Sequence, residues 1–266
     1  MLEEGKMSTL KTNAPLVQSR TMLGARVDAT SYADAVNCVL NWARAGESRY
    51  VCAASMNNIM EAYDSPDFKA IHNQADLVTP DGMPLVWGLR LLGLKHATRV
   101  YGPDLTPALL SAAECNGIPV GFYGASEKVL NRLLEVVSAR WPKLDVRYAF
   151  SPPFRPLADE EDEIIVRDIN SSGARILFIG LNTPKQDRWM AAHRGRVNAV
   201  MMGVGAAFDF LARTKRQAPR WLMPLGLEWL FRLVTEPKRL WKRYTKHVPR
   251  FAILLTRQVL FARRDA

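Results

Sequence analysis

The sequence predicts an α/β fold: a mostly parallel sheet with helices on both faces, followed by a basic helical C-terminal appendage. Three observations carry that expectation. Short apolar runs alternate with longer stretches of helical patterning; several of the runs are apolar at every position; and the positive charge gathers near the C-terminus. Strands apolar on both sides belong to sheets covered on both sides, and strands alternating with helices build such sheets in parallel.

In chain order, LGARVDA at residues 23–29 reads as a first strand, and Ser31 is placed to cap a helix over residues 32–45. Further strands are expected at 50–54, 75–79, 118–123, 144–150, 175–181 and 198–203, with helical segments between them. The loop SPPFRPL at 151–157 is followed by the acidic stretch 159–163, which suits the positive end of a helix dipole and so opens a helix. Near Arg213 the composition shifts. Residues 213–266 hold 14 Lys and Arg against 3 acids (Glu228, Glu236, Asp265), whereas the preceding residues hold 22 against 23. Two parts are therefore expected, 1–212 and 213–266.

The second part reads as two or three helices, with Pro237 and Pro249 as helix starts or breaks. Arg239, Arg243, Lys246 and Arg250 share one helical face, and Leu240, Trp241, Tyr244 and Val248 another. That pattern suits an anionic membrane surface, nucleic acid or an acidic protein, and equally a solvated face on helices that pack on the body.

Composition excludes several classes. With 48% hydrophobic and 23% charged residues the chain is neither disordered nor fibrous. Cys38, Cys52 and Cys115 form no CxxC pair, which argues against a disulfide framework or a structural zinc site. The first twenty residues lack the apolar stretch of a secretory signal, and no run approaches the ~20 apolar residues of a membrane span. A cytoplasmic protein with at most peripheral membrane contact is expected. The histidines are scattered and there is no Walker A loop, HExxH or GxSxG, so neither a metal nor a Ser/His nucleophile is expected.

Four stretches could carry chemistry. In ADLVTPDGMP a strand ends, the chain turns, and a helix opens near Pro84; Asp81 there is a candidate general base, or simply a cap of that helix. In RVYGPDL, Arg99 could reach a phosphate or remain solvated, and Asp104 is expected as a helix cap. GLNTPKQDRW opens a helix at Pro184 whose free N–H groups suit an anion, although Thr183 and Gln186 also fit a capping box. GVGAAFDF begins like a dinucleotide fingerprint but puts Phe208 where the third glycine belongs.

These stretches, with QAPRWLMPLGLEWLFRL and TEPKRLWKRY, in this order, resemble the WecG/TagA/CpsF glycosyltransferase family over residues 23–244. The resemblance implies an inverting, metal-independent transferase on a Rossmann-like domain with a helical appendage. It implies no cofactor, a UDP-sugar donor, and a sugar on undecaprenyl diphosphate as acceptor at the inner face of the cell membrane. Carried onto this chain, it makes Asp81 the base, Arg99 and Gln186 further active-site groups, and Ser55 and Asn57 substrate contacts. Arg232 and Arg239 match arginines thought to close over the site and offset the leaving diphosphate. Pro80, Ser55 and Asp187 depart from the residues usual in the family at those places. The basic C-terminal pattern agrees with a lipid-linked acceptor, a homo-oligomer is an open possibility, and a nucleic-acid-binding module or an NAD-dependent dehydrogenase are the competing readings.

Overall fold

The computed structural model describes residues 17–262. The polar stretch 1–16 and residues 263–266, with Arg263, Arg264 and Asp265, lie outside the described residues, as does the side chain of Arg239. The chain opens with a hairpin rather than one strand. β1 (Ser19–Met22) and β2 (Ala25–Asp28) pair antiparallel, and Leu23 and Gly24 turn between them at φ 51° and 86°. LGARVDA therefore contains a two-residue turn, made possible by the glycine in its second position. Asp28 fastens this hairpin to the main sheet by accepting the Val78 N–H at 2.7 Å.

α1 (Tyr32–Ala45) starts where expected, because the Ser31 hydroxyl accepts the Asp34 N–H and the Asp34 carboxylate accepts the Ser31 N–H. β3 (Arg49–Ala54), α2 (Met56–Asp64), α3 (Pro66–Gln74), β4 (Leu77–Pro80) and α4 (Met83–Leu91) follow. Then come α5 (Gly102–Cys115), β5 (Val120–Gly124), α6 (Glu127–Arg140) and β6 (Val146–Phe150). α7 (Asp159–Ser172), β7 (Ile176–Gly180), α8 (Lys185–His193), β8 (Val200–Gly203) and α9 (Ala207–Leu211) complete the body. Six strands form one parallel sheet in the order β4-β3-β8-β7-β5-β6.

Alternate side chains of each strand feed two cores. Tyr50, Cys52, Leu177, Ile179 and Met201 pack under α2, α3, α7 and α8; Val51, Ile176, Phe178, Val200 and Met202 pack under α1, α5, α6 and α9. Helices thus lie on both faces, which is why the strands read as unbroken apolar runs. Phe208 is core: it meets Phe122 edge-on at 5.8 Å, so the glycine-rich stretch is not a dinucleotide fingerprint.

Past a 3₁₀ turn (Arg220–Leu222), α10 (Glu228–Thr235) and α11 (Pro237–Ala262) pack back on the body. Leu240, Tyr244, Phe251, Leu255 and Val259 join the core beside α2 and the hairpin. Trp241 does not join them; one step round the helix from Leu240, it is 51% exposed. Pro237 starts α11, but Pro249 lies inside it and neither starts nor breaks a helix. The contacts on either side hold the helix through the lost hydrogen bond: Lys246 and Arg250 both pair with Asp64, and Gln258 bonds Leu23 and Thr21 of the hairpin.

Candidate active site

Loops at the carboxyl ends of β4, β3, β8 and β7, four neighbours in the sheet, converge on one depression, where open parallel sheets bind their ligands. Asp81 follows β4 directly. It does not cap α4, whose cap is Gly82; its Oδ2 instead accepts the Gly102 N–H at 2.8 Å. Gly102 allows this approach, since a Cβ there would sit 3.1 Å from that same oxygen. Burial pushes the Asp81 carboxyl up to about 6, against the pull of Arg99; Glu228 adds to the rise, and the Gly102 hydrogen bond and Arg232 oppose it.

Arg99 is not solvated. Only 15% of its side chain is exposed: Nε donates to the Asp81 carbonyl, the guanidinium lies 4.2 Å over the Tyr101 ring, and Nη2 is 2.5 Å from Glu228 Oε2. Glu228 therefore joins the site from α10, and Arg232, one turn later, pairs with it at 2.7 Å. Neither Glu228 nor Tyr101, whose hydroxyl donates to Glu228 at 3.0 Å, is singled out by the sequence motifs. The i, i+4 spacing of Glu228 and Arg232 was the one available signal that both face the same way. Asp104 lies in the first turn of α5, capped by Tyr101, and pairs with Arg220 at 2.6 Å.

Ser55 caps α2 and donates its hydroxyl to Asn58 Oδ1 at 2.9 Å; Asn58, also missed in the sequence, donates on to Thr183 at 3.2 Å. Asn57 lines the depression with a buried Oδ1 that no protein donor reaches among the described residues. The capping box expected of Thr183 and Gln186 does not form. The helix starts one residue later, at Lys185, and the Gln186 Oε1 accepts the Gly205 N–H at 3.0 Å, tying the loop after β7 to the loop after β8. Asp187 lies fully buried beneath, where burial raises its carboxyl pKa.

Two cavities meet at Asp81. One, about 230 Å³, is polar: Asn58, Asn182, Thr183, Gln186, Gly205 and Arg243 line it. The other, about 150 Å³, has the apolar walls Met56, Met83, Pro84, Met223, Trp229 and Val248. Ser55, Asn57, Asp81, Arg232 and Tyr244 line both. Among the described residues no three His, Cys, Asp or Glu side chains gather as metal ligands, and no helix is long and apolar enough to cross a membrane.

Fold and cavities together define an α/β protein whose candidate site lies at the carboxyl ends of parallel strands, with part of its charged lining supplied by C-terminal helices. The chain belongs to the glycosyl transferase WecG/TagA/CpsF family, whose model matches residues 20–265 and so takes in sheet and appendage alike. A relative from Bacillus spizizenii, named N-acetylglucosaminyldiphosphoundecaprenol N-acetyl-beta-D-mannosaminyltransferase, is 29% identical over 195 residues. The match covers 73% of this chain and 74% of the relative.

Proposed function

We propose that the protein transfers a sugar, with inversion and without a metal, from a UDP-sugar to the N-acetylglucosamine of an undecaprenyl-diphosphate-linked acceptor, at the inner membrane face during cell-surface polysaccharide synthesis. The observation that carries this reading is the Asp81 carboxylate in the wall shared by a polar and an apolar cavity. The polar cavity suits the nucleotide and its sugar; the apolar one suits the lipid-linked acceptor. The relative's name supplies the acceptor class and N-acetylmannosamine as the first sugar to try.

In the proposed step an acceptor hydroxyl attacks the anomeric carbon from the side opposite UDP. Its proton passes to Asp81, a carbon–oxygen bond forms, and the bond to the UDP phosphate breaks with its electron pair leaving on the phosphate. A carboxyl with a pKa near 6 is ionised at neutral pH and still a competent base. Arg232 and Arg243, in the polar cavity, offset the charge that develops on the leaving diphosphate. The role of Arg239 rests on the resemblance alone. Gln186 acts by fixing the loop that carries Gly205, Ser55 by fixing Asn58 in the first turn of α2, and Asn57 offers its unpaired Oδ1 to a substrate hydroxyl.

On α11, Lys246 and Arg250 pair with Asp64 at the surface, and Arg243 and Lys246 stay exposed. Membrane contact in this reading uses the exposed apolar residues Trp221, Leu225, Leu230, Val234 and Trp241 together with the exposed cations Lys238, Lys242, Arg243 and Lys246. The test is Asp81→Asn in an assay with UDP-N-acetylmannosamine and undecaprenyl-diphosphate-linked N-acetylglucosamine. Turnover should fall by about 10²–10⁴-fold, while UDP still raises the unfolding midpoint. Retained turnover would remove Asp81 from the base role.

A further inference from the structure

Arg99 stands between two carboxylates and has chosen one. Its Nη2 is 2.5 Å from Glu228 Oε2 and 3.9 Å from Asp81 Oδ1, a hydrogen-bonded ion pair with the first and only a loose one with the second. The Glu228 carboxylate is fixed where it stands by two more donors, the Tyr101 hydroxyl at 3.0 Å and Arg232 Nη2 at 2.7 Å, and is 13% exposed. Asp81, by contrast, has its Oδ2 committed to the Gly102 N–H. Its Oδ1 is the oxygen left to receive a proton, and it is also the one that Arg99 would cover by a movement of about one ångström.

We propose that Glu228 is a positioning residue: by holding the Arg99 guanidinium on itself, it keeps that cation from closing on Asp81 Oδ1 and leaves this oxygen to the acceptor hydroxyl. The proposal rests on the reading of Asp81 as the base. An aspartate in a full ion pair with arginine is a poor base, because the pair stabilises its ionised form by one to three pKa units. An arginine is nevertheless needed beside Asp81, since its Nε fixes the Asp81 backbone. Glu228 resolves that conflict by giving the charged end of Arg99 a stronger partner.

The titratable and charged groups that face Asp81 are Arg99, Tyr101 at the start of α5, Tyr32 at the start of α1, Glu228 and Arg232 on α10, and Arg243 and Tyr244 on α11. Glu228 is the one other carboxylate among them. Removing its charge therefore acts twice in the same direction: the negative field that raises Asp81 is lost, and Arg99 is released toward Oδ1. Both lower the proton affinity of Asp81. The position of Glu228 on α10 also means that the base is set up only when the appendage is docked.

The experiment is the pH dependence of kcat/KM for the full-length wild type, Glu228→Gln and Glu228→Asp, with UDP-N-acetylmannosamine and the undecaprenyl-linked acceptor in vesicles. The wild type should lose activity on the acid side with a midpoint near 6. In Glu228→Gln that midpoint should fall by about one unit or more, and the plateau rate should drop as the base weakens. Glu228→Asp, which keeps the charge, should retain the wild-type midpoint. A Glu228→Gln profile with an unmoved acid midpoint, whatever its rate, would overturn the proposal, because a merely structural contact changes rate and stability without moving the titration. If Glu228→Gln does not fold, Glu228→Ala reads the same midpoint. Asp81→Asn, run beside them, separates the two ideas. If it retains turnover, the base reading fails and this role with it; if it is inactive while the Glu228→Gln midpoint stays put, only the role of Glu228 fails.

Discussion

The sheet and the C-terminal helices are held by different forces. Every residue of β4, β5, β7 and β8 is buried, and the two cores that flank them are aliphatic and aromatic. α10 has no fully buried residue, and exposed Leu230 and Val234 share it with Glu228, which pairs with Arg99, and Arg232, which pairs with Glu228. α11 buries a stripe of five residues but is also fastened by Arg250 and Lys246 on Asp64 and by Gln258 on the hairpin. The body is thus stabilised mainly by burial, which salt does not screen, and the appendage partly by charge, which salt and pH weaken. The candidate site straddles the two, with the proposed base Asp81 at the end of β4 and Arg232 on the helix more easily released.

The largest effect should come from the body. Phe178 is fully buried and stacks on Phe122 at 5.5 Å, in the core opposite α11. Phe178→Ala should cost about 3–5 kcal/mol, since cavity and transfer terms add in a site that cannot collapse. Denaturant unfolding should show one transition moved to lower midpoint. A separate early transition, confined to the appendage, would mean that the two parts depend on each other less than their shared core implies.

Much of this division was legible in the sequence. The six sheet strands fall within a few residues of the expected runs, because burial on both faces leaves a continuous apolar signature that needs no partner to be read. α1 was placed by Ser31, and its start is a local device that Asp34 completes. Asp81 was a candidate because the end of a parallel strand is where such folds keep their chemistry, and it does stand at the end of β4 beside both cavities. What failed was non-local. Glu228 lies 129 residues from the Arg99 it binds and Asn58 lies 125 from Thr183, and no spacing rule links them. On the charged face of α11, Arg243 and Lys246 are exposed as a solvated face would be, while the pairing of Lys246 and Arg250 with Asp64, far away in sequence, could not be read from spacing. Thr183 and Gln186 matched a capping box that tertiary contacts to Asn58 and Gly205 override.

The second effect in size belongs to the seam. Arg232 stacks 5.3 Å over Phe210 and lines both cavities, so Arg232→Ala should lower kcat by about 10²–10³-fold, the usual effect of removing one donor that stabilises developing charge. Its unfolding midpoint should stay close to wild type, because the core does not contain it. Single-turnover kinetics would check this, and a loss confined to KM would place Arg232 in ground-state binding instead. That result would shift the seam from the chemistry to the grip on substrate.

The smallest effect tests the fastening itself. Arg250 grips both oxygens of Asp64 at 2.9 and 2.7 Å, and this hydrogen bonding holds the Asp64 carboxyl down at about 2. Because a lowered acid pKa stabilises the docked form only while the group is ionised in both states, its contribution is complete above about pH 4, the unfolded value. It is lost as pH falls toward 2. With Asp64 about a third exposed, Asp64→Asn should cost no more than about 1 kcal/mol at neutral pH and low salt. The difference from wild type should shrink in high salt and vanish in strong acid. Hydrogen exchange along α11 reads this directly: faster exchange there, with β7 and β8 unchanged, is what a charge-fastened helix on a burial-stabilised sheet requires. Equal acceleration in the strands would mean that the appendage is part of the core's own cooperativity, and the contrast between the two regions would then be one of composition and not of stability.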